Sequence, residues 1–489
     1  MRLESADTPT PATVAFPHRA RRGVLLGLSV LQLAVATATT ALLLAVLMAK
    51  GLGTALLLTP LWAAAAALAL ARYRSRPLAD WAPVAARYLL RRWRGQLVWL
   101  AHPTTRPVHR GMLHLPGTAA SLRAYTSPDA KFGAVHDPHQ GTLTATARIT
   151  SRAYALLDPA TQNANVAGWG RVLSALARSG QVARVQVMER TVPDSGDALQ
   201  RYWSAHQAPS SAMASGLYQE LLQVAGPAAA PHEAYLSIAL DLKAARQLVR
   251  QAGGGLAGAF TVLAQLTASV EQSLRDAGLT LTGWLSDQQI AAVIRTAYDP
   301  GALAALEHRS AGGQPQADPA AAGPVIVLEK TGTLRTDTAR HAVFWAEEWP
   351  RTQTNAGFLH GITFSSGIRR TLSLIYTPYT LDAALKDVRR SKASIISNAN
   401  ERARKGQVDS EEDRLQYSDV KVRERQLLDG HSDVSVTGLL VVSADSDQEL
   451  NAACARIKAA ASNAGVGLRL LELQQAEAFT AAALPLARP

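Results

Sequence analysis

The N-terminal part of the chain contains a long run without a charged side chain. Residues 23–49 read GVLLGLSVLQLAVATATTALLLAVLMA. A helix of this length extends about 40 Å, enough to cross a hydrocarbon core of roughly 30 Å with some tilt. The apolar core of a cleaved signal peptide is shorter than this run. We therefore predict a transmembrane helix here.

A second uncharged run follows after a single interruption. Lys50 separates the first run from residues 51–71, which contain Pro60. Two spans with almost no connecting loop predict a two-helix transmembrane hairpin within residues 23–76. Residues 1–22 then form an N-terminal tail.

The basic charge of the chain lies around this hairpin. The chain has 489 residues and a formal net charge of +12, and residues 1–110 contain 14 Lys and Arg but only 3 Asp and Glu. By the positive-inside rule, both flanks face the cytoplasm, because Lys50 alone lies between the spans. We expect a two-pass protein of the inner (cytoplasmic) membrane, with both termini and the body in the cytoplasm. The flanking arginines are Arg19, Arg21, Arg22, Arg72, Arg74 and Arg76.

The other 379 residues are electrostatically balanced, with 36 Lys and Arg against 35 Asp and Glu. A body that binds nucleic acid is normally net basic, so we expect no direct nucleic-acid binding. Cys454 is the only cysteine. A single thiol excludes an internal disulfide framework and agrees with a reducing compartment.

An arginine- and tryptophan-rich segment follows the hairpin, and with the linker after it covers residues 77–116. We predict a helix capped by Asp80, with Pro83 in its first turn. Aromatic and basic residues beside a span are typical of a helix that lies on anionic headgroups, and an ordinary helix packed against the body is the alternative. The interface residues in this segment are Trp81, Arg87, Arg91, Arg92, Trp93 and Arg94.

The body alternates strand and helix patterns, which predicts an α+β fold built of ferredoxin-like βαβ units. Its first region covers residues 117–308 and its second covers residues 324–489. A flexible loop rich in Gly and Pro joins them at residues 309–323. The predicted strands are residues 141–150, 182–188, 234–242, 280–285, 325–329, 342–349, 361–366, 371–376, 433–443 and 467–472.

A charged segment lies in the second region. Residues 381–428 have a helical pattern, and residues 386–429 contain 11 Lys and Arg and 9 Asp and Glu. Such a pattern is typical of a solvated helical pair, and as a functional alternative it predicts a docking surface for a partner. The residues assigned to this surface are Arg389, Arg390, Arg402, Arg404, Glu411 and Glu412.

Motifs that carry chemistry are weak in this chain. The dipeptide Gly-Lys of a phosphate-binding loop does not occur. Residues 329–333 (EKTGT) differ from the Asp-Lys-Thr-Gly-Thr of ion pumps by Glu329, and we predict a turn after a strand. His136, Asp137 and His139 predict a turn rather than a metal site. We expect no catalytic residue, no cofactor and no metal.

Two parts of the sequence resemble a known family. Residues 19–100 resemble the small PrgI-like membrane subunit of conjugation (type IV secretion) systems. The body from about residue 140 resembles the N-terminal domain of CagE/TrbE-type conjugation ATPases. This resemblance rests on residues 153–191, which contain VAGWGRVLSALARSGQVARVQVMERT, and on residues 434–486, which contain GLLVVS, LNAACARIKAAASNAGV, GLRLLEL and QQAEAFTAAALPL.

The resemblance implies an actinobacterial protein in which the membrane subunit is fused to an ATPase N-terminal domain without the motor. The expected function is a non-catalytic inner-membrane scaffold, oligomeric within a complex, that docks a separately encoded P-loop ATPase. Its expected partners are the membrane, that ATPase and other membrane subunits of the secretion system. The alternatives are a type VII (EccE-like) secretion component or a membrane-associated enzyme.

Overall fold

The computed structural model contains two compact units, His18–Leu97, and Met1–Pro17 together with Val98–Pro489. We call the first the N-terminal unit and the second the body. The structure describes residues 13–14, 30–73, 76–101, 111–129, 131–151, 156–191, 202–204, 206, 212–228, 232–314, 316–350, 352, 354–404, 411–429 and 432–488.

Helices occur in both units. The N-terminal unit contains α1 (Val30–Leu57), α2 (Thr59–Leu70) and α3 (Leu78–Trp93). The helices of the body are α4 (Pro159–Ser179), α5 (Ala212–Ala228), α6 (Arg246–Gln251), α7 (Gly255–Asp276), α8 (Asp287–Tyr298), α9 (Leu303–Ala311), α10 (His360–Thr363), α11 (Leu381–Arg404), α12 (Glu411–Leu428), α13 (Asp447–Asn463) and α14 (Gln475–Ala483).

Most strands belong to the body, and only β2 and β3 lie in the N-terminal unit. The strands are β1 (Thr13–Val14), β2 (Arg72–Tyr73), β3 (Arg76–Pro77), β4 (Val98–Leu100), β5 (Arg123–Thr126), β6 (Gly133–Asp137), β7 (Thr142–Ser151), β8 (Val182–Thr191), β9 (His232–Asp241), β10 (Leu279–Trp284), β11 (Ile326–Glu329), β12 (Leu334–Arg335), β13 (Arg340–Glu348), β14 (Thr354–Asn355), β15 (Arg369–Pro378), β16 (Val434–Ala444) and β17 (Gly467–Leu470).

Helix α1 carries the first uncharged run. Within the described residues, Gln32–Leu57 is the one helix long and apolar enough to cross a membrane, judged by length and composition. The backbone of Gly51 leaves the helical region inside α1, with φ 76° and ψ 179°. The second predicted span is divided, because its first residues belong to α1 and the rest forms the twelve-residue α2.

A single antiparallel sheet of thirteen described strands forms the centre of the body. Its main order is β4-β11-β12-β13-β16-β15-β8-β9-β7-β6-β5, with β10 also paired to β7 and β17 also paired to β13. All of its pairs are antiparallel. The α+β class is thus confirmed as helices packed on a large antiparallel sheet.

The sheet consists of two halves with the same order of elements. In the first half the strands lie side by side in the order β10-β7-β9-β8, which are the fourth, first, third and second strands of this half in chain order. In the second half the order is β17-β13-β16-β15, again the fourth, first, third and second strands in chain order. The two second strands, β8 and β15, pair at the centre, where Met188 lies opposite Ser373.

Each half carries a helical connection between its second and third strands. The connection of the first half contains α5, and that of the second half contains α11 and α12. Because Arg190 lies opposite Thr371 while Val185 lies opposite Tyr376, β8 ends beside the start of β15. The two connections therefore leave the sheet at opposite ends.

Helices α4, α7 and α13 cover one face of the sheet. Val172 of α4 and Val270 of α7 pack on strands of the first half, and Ile457 of α13 packs on strands of the second. Residues directly opposite each other in a sheet share a face. Leu236, Val187 and Leu374 stand opposite one another across three strands, which places these helices on the same face.

Helices α8 and α14 cover the other face. The segment after α14 lies on buried polar side chains of the central strands. The carbonyl oxygen of Pro485 accepts hydrogen bonds from Thr146 Oγ1 (2.9 Å) and Ser237 Oγ (3.0 Å). Gln186 donates to Leu484 O (3.1 Å) and accepts from Ala487 N (2.7 Å). Buried polar residues of the strands thus satisfy the backbone of this segment.

An aromatic cluster attaches α14 to the core. The ring of Phe479 lies 5.0 Å from that of Tyr298 and 4.6 Å from the ring of His341. His341 is fully buried between Thr336 and Ser443, with which its nitrogens form hydrogen bonds. Burial, with a smaller contribution from nearby Arg369, lowers the pKa of His341 to about 3, so this ring is neutral at physiological pH.

Several elements differ from the sequence predictions. Residues 361–366 were predicted as a strand, but α10 lies there, because Ile362 must reach the core beneath α13. Helix α3 begins two residues before Asp80, with Pro77 as its N-cap. In the predicted linker, Leu113 and Leu115 are buried core residues.

The stretch predicted as a loop, residues 309–323, contains helical segments and buried residues. Helix α9 continues to Ala311, and Ala317 and Ala322 are buried in the same core cluster as α8. Small apolar side chains in this stretch therefore pack against the body.

Replacing Gln186 with Leu tests the attachment of the C-terminal segment. The variant leaves the Ala487 N–H and the Leu484 carbonyl without their side-chain partner in a buried site. We expect the free energy of unfolding to fall by about 1–3 kcal/mol, measured by urea unfolding of the detergent-solubilised chain. The exposed Gln251→Leu is the control and should shift it by less than about 0.5 kcal/mol. Equal effects of the two changes would contradict this role.

Candidate membrane interface and docking surface

Helix α3 has two apolar sides of different exposure. Tyr88 is buried on one side of the helix, and Ala79 is buried in its first turn. On the opposite side, Ala82, Ala86, Leu89, Leu90 and Trp93 are exposed. Their spacing of three and four residues places them on one side of the helix. We call this set the apolar stripe of α3.

The charges around the apolar stripe suit a lipid surface. Arg87, Arg92 and Arg94 are exposed, and Trp93 at the end of the helix is 85% exposed. Each arginine near an anionic leaflet contributes about 1 kcal/mol. A Leu side chain that leaves water contributes about 1.5–3 kcal/mol, so on a membrane the apolar stripe would contribute more than the arginines.

Trp81, a predicted interface residue, is half-buried and contacts Tyr73. Its indole Nε1 donates to the carbonyl oxygen of Tyr73 (3.3 Å), and its ring packs against the edge of the Tyr73 ring at 5.8 Å. Trp81 therefore connects the start of α3 to Tyr73 of β2. Trp93 is the exposed tryptophan of α3.

The structure describes some of the remaining predicted interface residues and not others. Arg91 is half-buried on α3. Arg72 and Arg76 lie in the paired strands β2 and β3, without a described side chain. Outside the described residues are Arg19, Arg21, Arg22 and Arg74.

Helix α1 exposes large apolar side chains along its length. Only 6% of its most apolar part is buried, and Leu42, Leu44, Met48 and Leu57 are all exposed. A core helix of a soluble protein buries such residues instead. This exposure agrees with a helix surrounded by lipid.

The predicted charged segment forms two helices, α11 and α12, which we call the helical arm. Ala384 and Val388 of α11 pack against Leu427 of α12. Lys392 pairs with Glu424, and Arg423 pairs with Asp387 at 3.0 Å. The helical pattern over residues 381–428 is therefore confirmed, apart from residues 405–410, which lie outside the described residues.

The predicted docking residues lie on this arm. Arg389, Arg390 and Arg404 are exposed on α11. Residues 390 and 404 are fourteen positions apart, which places them on nearly the same side of the helix. For Arg402, Glu411 and Glu412 the structure describes the helical backbone, and their side chains lie outside the described part.

The weak chemical motif at residues 329–333 lies in a turn between two strands. Lys330 N bonds to Thr333 O (2.8 Å) in the turn between β11 and β12, and Glu329 accepts from Ala476 N (3.2 Å) at the start of α14. The predicted turn after a strand is confirmed.

The turn that contains His136, Asp137 and His139 is also confirmed. Asp137 Oδ1 accepts from His139 N (3.0 Å) and Gln140 N (3.1 Å), and Oδ2 lies 2.9 Å from Arg488 Nε. Within the described part of the chain, no group of three His, Cys, Asp or Glu residues could hold a metal ion.

A partly buried ionic network connects α8 to the sheet. Glu233 lies between Arg190 and Arg148, with closest distances of 2.6 Å and 3.0 Å. Burial raises the pKa of Glu233, but the two guanidinium groups outweigh it and hold the pKa below its usual range. Arg190 also donates to Val293 O and Thr296 Oγ1 of α8.

A shallow recess beside Arg190 is lined by further polar residues, including Arg369 and Ser443. Arg369 pairs with Asp445, and Ser443 bonds with His341. Arg190, Arg369 and Ser443 thus serve contacts within the protein.

Two apolar surfaces were not predicted from the sequence. The first is the apolar stripe of α3, in which Leu89 and Leu90 lie between arginines in the sequence. Their spacing relative to Ala86 and Trp93 is the sequence pattern that indicates a common side of the helix. On α5, Met213, Leu217 and Leu221 are exposed at a spacing of four residues. That spacing is equally visible in the sequence.

Comparisons with known proteins identify no relative. A scan against protein-family models finds no match, and a search of curated proteins also finds none.

An environment-sensitive dye at position 89 tests the apolar stripe. In a Cys454→Ser background, Leu89→Cys carries the dye, and Leu415→Cys on α12 is the control, because Leu89 and Leu415 are 59% and 58% exposed. With the full chain in liposomes containing a lipid-borne nitroxide, we expect the Leu89 label to lose roughly half its emission, since interfacial helices insert about 5–10 Å. Equal quenching at both positions would contradict a specific membrane contact.

Proposed function

We propose that this chain is a non-catalytic membrane scaffold of a conjugation-like (type IV) secretion system, which docks a separately encoded P-loop ATPase. One observation carries the proposal. An apolar helix with exposed side chains is followed by α3, whose apolar stripe is flanked by exposed arginines. This combination supports a membrane anchor with an interfacial helix at its base.

We further propose a two-pass hairpin with both ends in the cytoplasm. The break at Gly51 leaves residues 30–50 as a helix of about 32 Å, close to the thickness of a hydrocarbon core. Residues 52–70 would then return as a second span of about 28 Å, interrupted near Pro60. Exposed Lys50 lies at the turn, where its ammonium group can reach water.

The two halves of the body are proposed to be ferredoxin-like units. The support is their common strand order, in which the fourth, first, third and second strands are neighbours and all pairs are antiparallel. This order belongs to the split βαβ arrangement of such units. In the second half, the short α10 takes the place of the first helix.

A non-catalytic role is supported by how the polar groups of the body are used. Glu233 is neutralised by Arg190 and Arg148, and Asp137 by Arg488. Buried groups held in this way connect elements of the fold. The body then contributes surfaces instead of reacting groups.

The scaffold would act by raising the local concentration of its partner. Fixing a soluble motor beside its membrane channel makes their contact nearly intramolecular. We assign the docking surface to the helical arm, because Arg389, Arg390 and Arg404 are exposed on α11. The type IV assignment itself rests on the resemblance of residues 153–191 and 434–486 to conjugation ATPases.

Selective labelling of cysteines tests the two-pass topology. Lys50→Cys and Ser394→Cys are compared in the Cys454→Ser background, in spheroplasts treated with a membrane-impermeant maleimide. We expect Lys50→Cys to react in intact spheroplasts and Ser394→Cys to react only after lysis, since α11 belongs to the cytoplasmic body. If both cysteines react before lysis, the body lies outside and the chain crosses the membrane once. If only Ser394→Cys reacts before lysis, the two-pass chain has the opposite orientation.

Affinity purification from detergent-solubilised membranes tests the recruitment of a motor. We expect a P-loop ATPase of the conjugation type to co-purify with the full chain. The double variant Arg389→Glu and Arg390→Glu should reduce its recovery about tenfold, which corresponds to a loss of about 1.4 kcal/mol. The matched control is Arg246→Glu with Arg250→Glu, which changes two exposed arginines of α6.

The proteins recovered in this purification also test the docking site, the type of secretion system and the role of the anchor. Equal loss in both double variants would place docking elsewhere than on the arm. Recovery of type VII components would overturn the type IV assignment, and unchanged recruitment by a chain without residues 1–76 would overturn the role of the anchor.

A further inference from the structure

One face of the outermost strand pair of the large sheet is apolar and open to solvent. Leu100 of β4 lies opposite Ile326 of β11, and Val98 lies opposite Leu328. Opposite residues and alternate residues of a strand share a face. These four aliphatic side chains therefore form one surface, which we call the edge patch (Val98, Leu100, Ile326 and Leu328).

The edge patch is exposed, although its strands belong to the sheet. Val98 is 52% exposed and Leu100 is 54% exposed, while Ile326 and Leu328 are half-buried. The residues between them, Trp99 and Val327, face the core cluster that contains α8 and α14. The strand pair is thus apolar on both faces, and only one face is covered by the body.

We propose that the edge patch is a second membrane contact, which seats this edge of the body on the bilayer. The proposal rests on the proposed function, because it requires α3 to lie on the membrane. In addition to α3, the sheet itself contacts the membrane, and lipid covers the edge patch.

Chain connectivity keeps the edge patch close to the membrane. Trp93 is the last residue of α3, and Val98 follows five residues later. Five residues span at most about 18 Å, even when fully extended. If Trp93 lies among lipid headgroups, Val98 cannot lie farther than this from them, whatever the orientation of the body.

The charge around the edge patch also suits an anionic bilayer. Arg335 lies opposite Leu328 in the next strand and is exposed, and exposed Lys330 follows β11. A basic rim beside an apolar patch is the composition of a membrane-binding surface. At the other end of the patch, Asp337 accepts from Ile326 N and is paired with Arg295 at 2.9 Å.

The sequence of β4 supports the same occupant. Outer strands of soluble proteins usually carry charged residues or proline, which discourage association of sheets. The strand β4 reads Val-Trp-Leu and has neither. An aliphatic surface of this kind is stabilised where it leaves water.

Quenching by lipid tests the proposal on the full chain. Val98→Cys carries an environment-sensitive dye in the Cys454→Ser background, in liposomes of phosphatidylethanolamine and phosphatidylglycerol with nitroxide-labelled lipid. The control is Val422→Cys on α12, because Val422 is 55% exposed and is also a valine. We expect the Val98 label to lose roughly half its emission and the Val422 label to keep it, since surface-bound segments insert about 5–10 Å.

The Leu89→Cys label, measured in parallel, separates the two levels of the proposal. Quenching at position 89 without quenching at position 98 overturns the edge patch as a lipid contact and leaves the role of α3 intact. Quenching at neither position overturns the interfacial helix and with it the basis of this inference. Disulfide formation between Val98→Cys copies without quenching would assign the patch to a contact between two chains.

Discussion

The antiparallel pairing of β8 with β15 is the interaction on which the rest of the body depends. It joins two four-strand groups into one sheet, and without it each group would expose a long strand edge to water. Gln186 and Ser373 form a hydrogen bond of 2.6 Å across this pair, and both side chains are fully buried. The same glutamine also holds the C-terminal segment, so the central pair and its cover share one polar residue.

Several parts of this arrangement are visible in the sequence, because they depend on local patterns. The strand predicted at residues 141–150 alternates with period two, and the helix before residues 182–188 ends at Gly180, whose φ of 63° favours glycine. The turn around Asp137 is recognisable because its carboxylate can bond to amides two and three residues later.

Other parts depend on partners far away in the chain. The common order of elements in the two halves leaves no clear sequence repeat, since each half keeps only the apolar positions that face its own helices. Leu113 and Leu115 lie in a stretch rich in Pro and His, and only the packed core reveals that they are buried. For the candidate membrane interface, arginine and tryptophan predict an interfacial role for α3, and this stays a prediction. Which tryptophan is exposed depends on the contact between Trp81 and Tyr73.

The two helical connections leave the sheet at opposite ends. A strand of ten residues extends about 33 Å, so the two connections leave the sheet roughly that far apart. Each half therefore carries its additional helices away from the seam between β8 and β15, in the opposite direction to the other half.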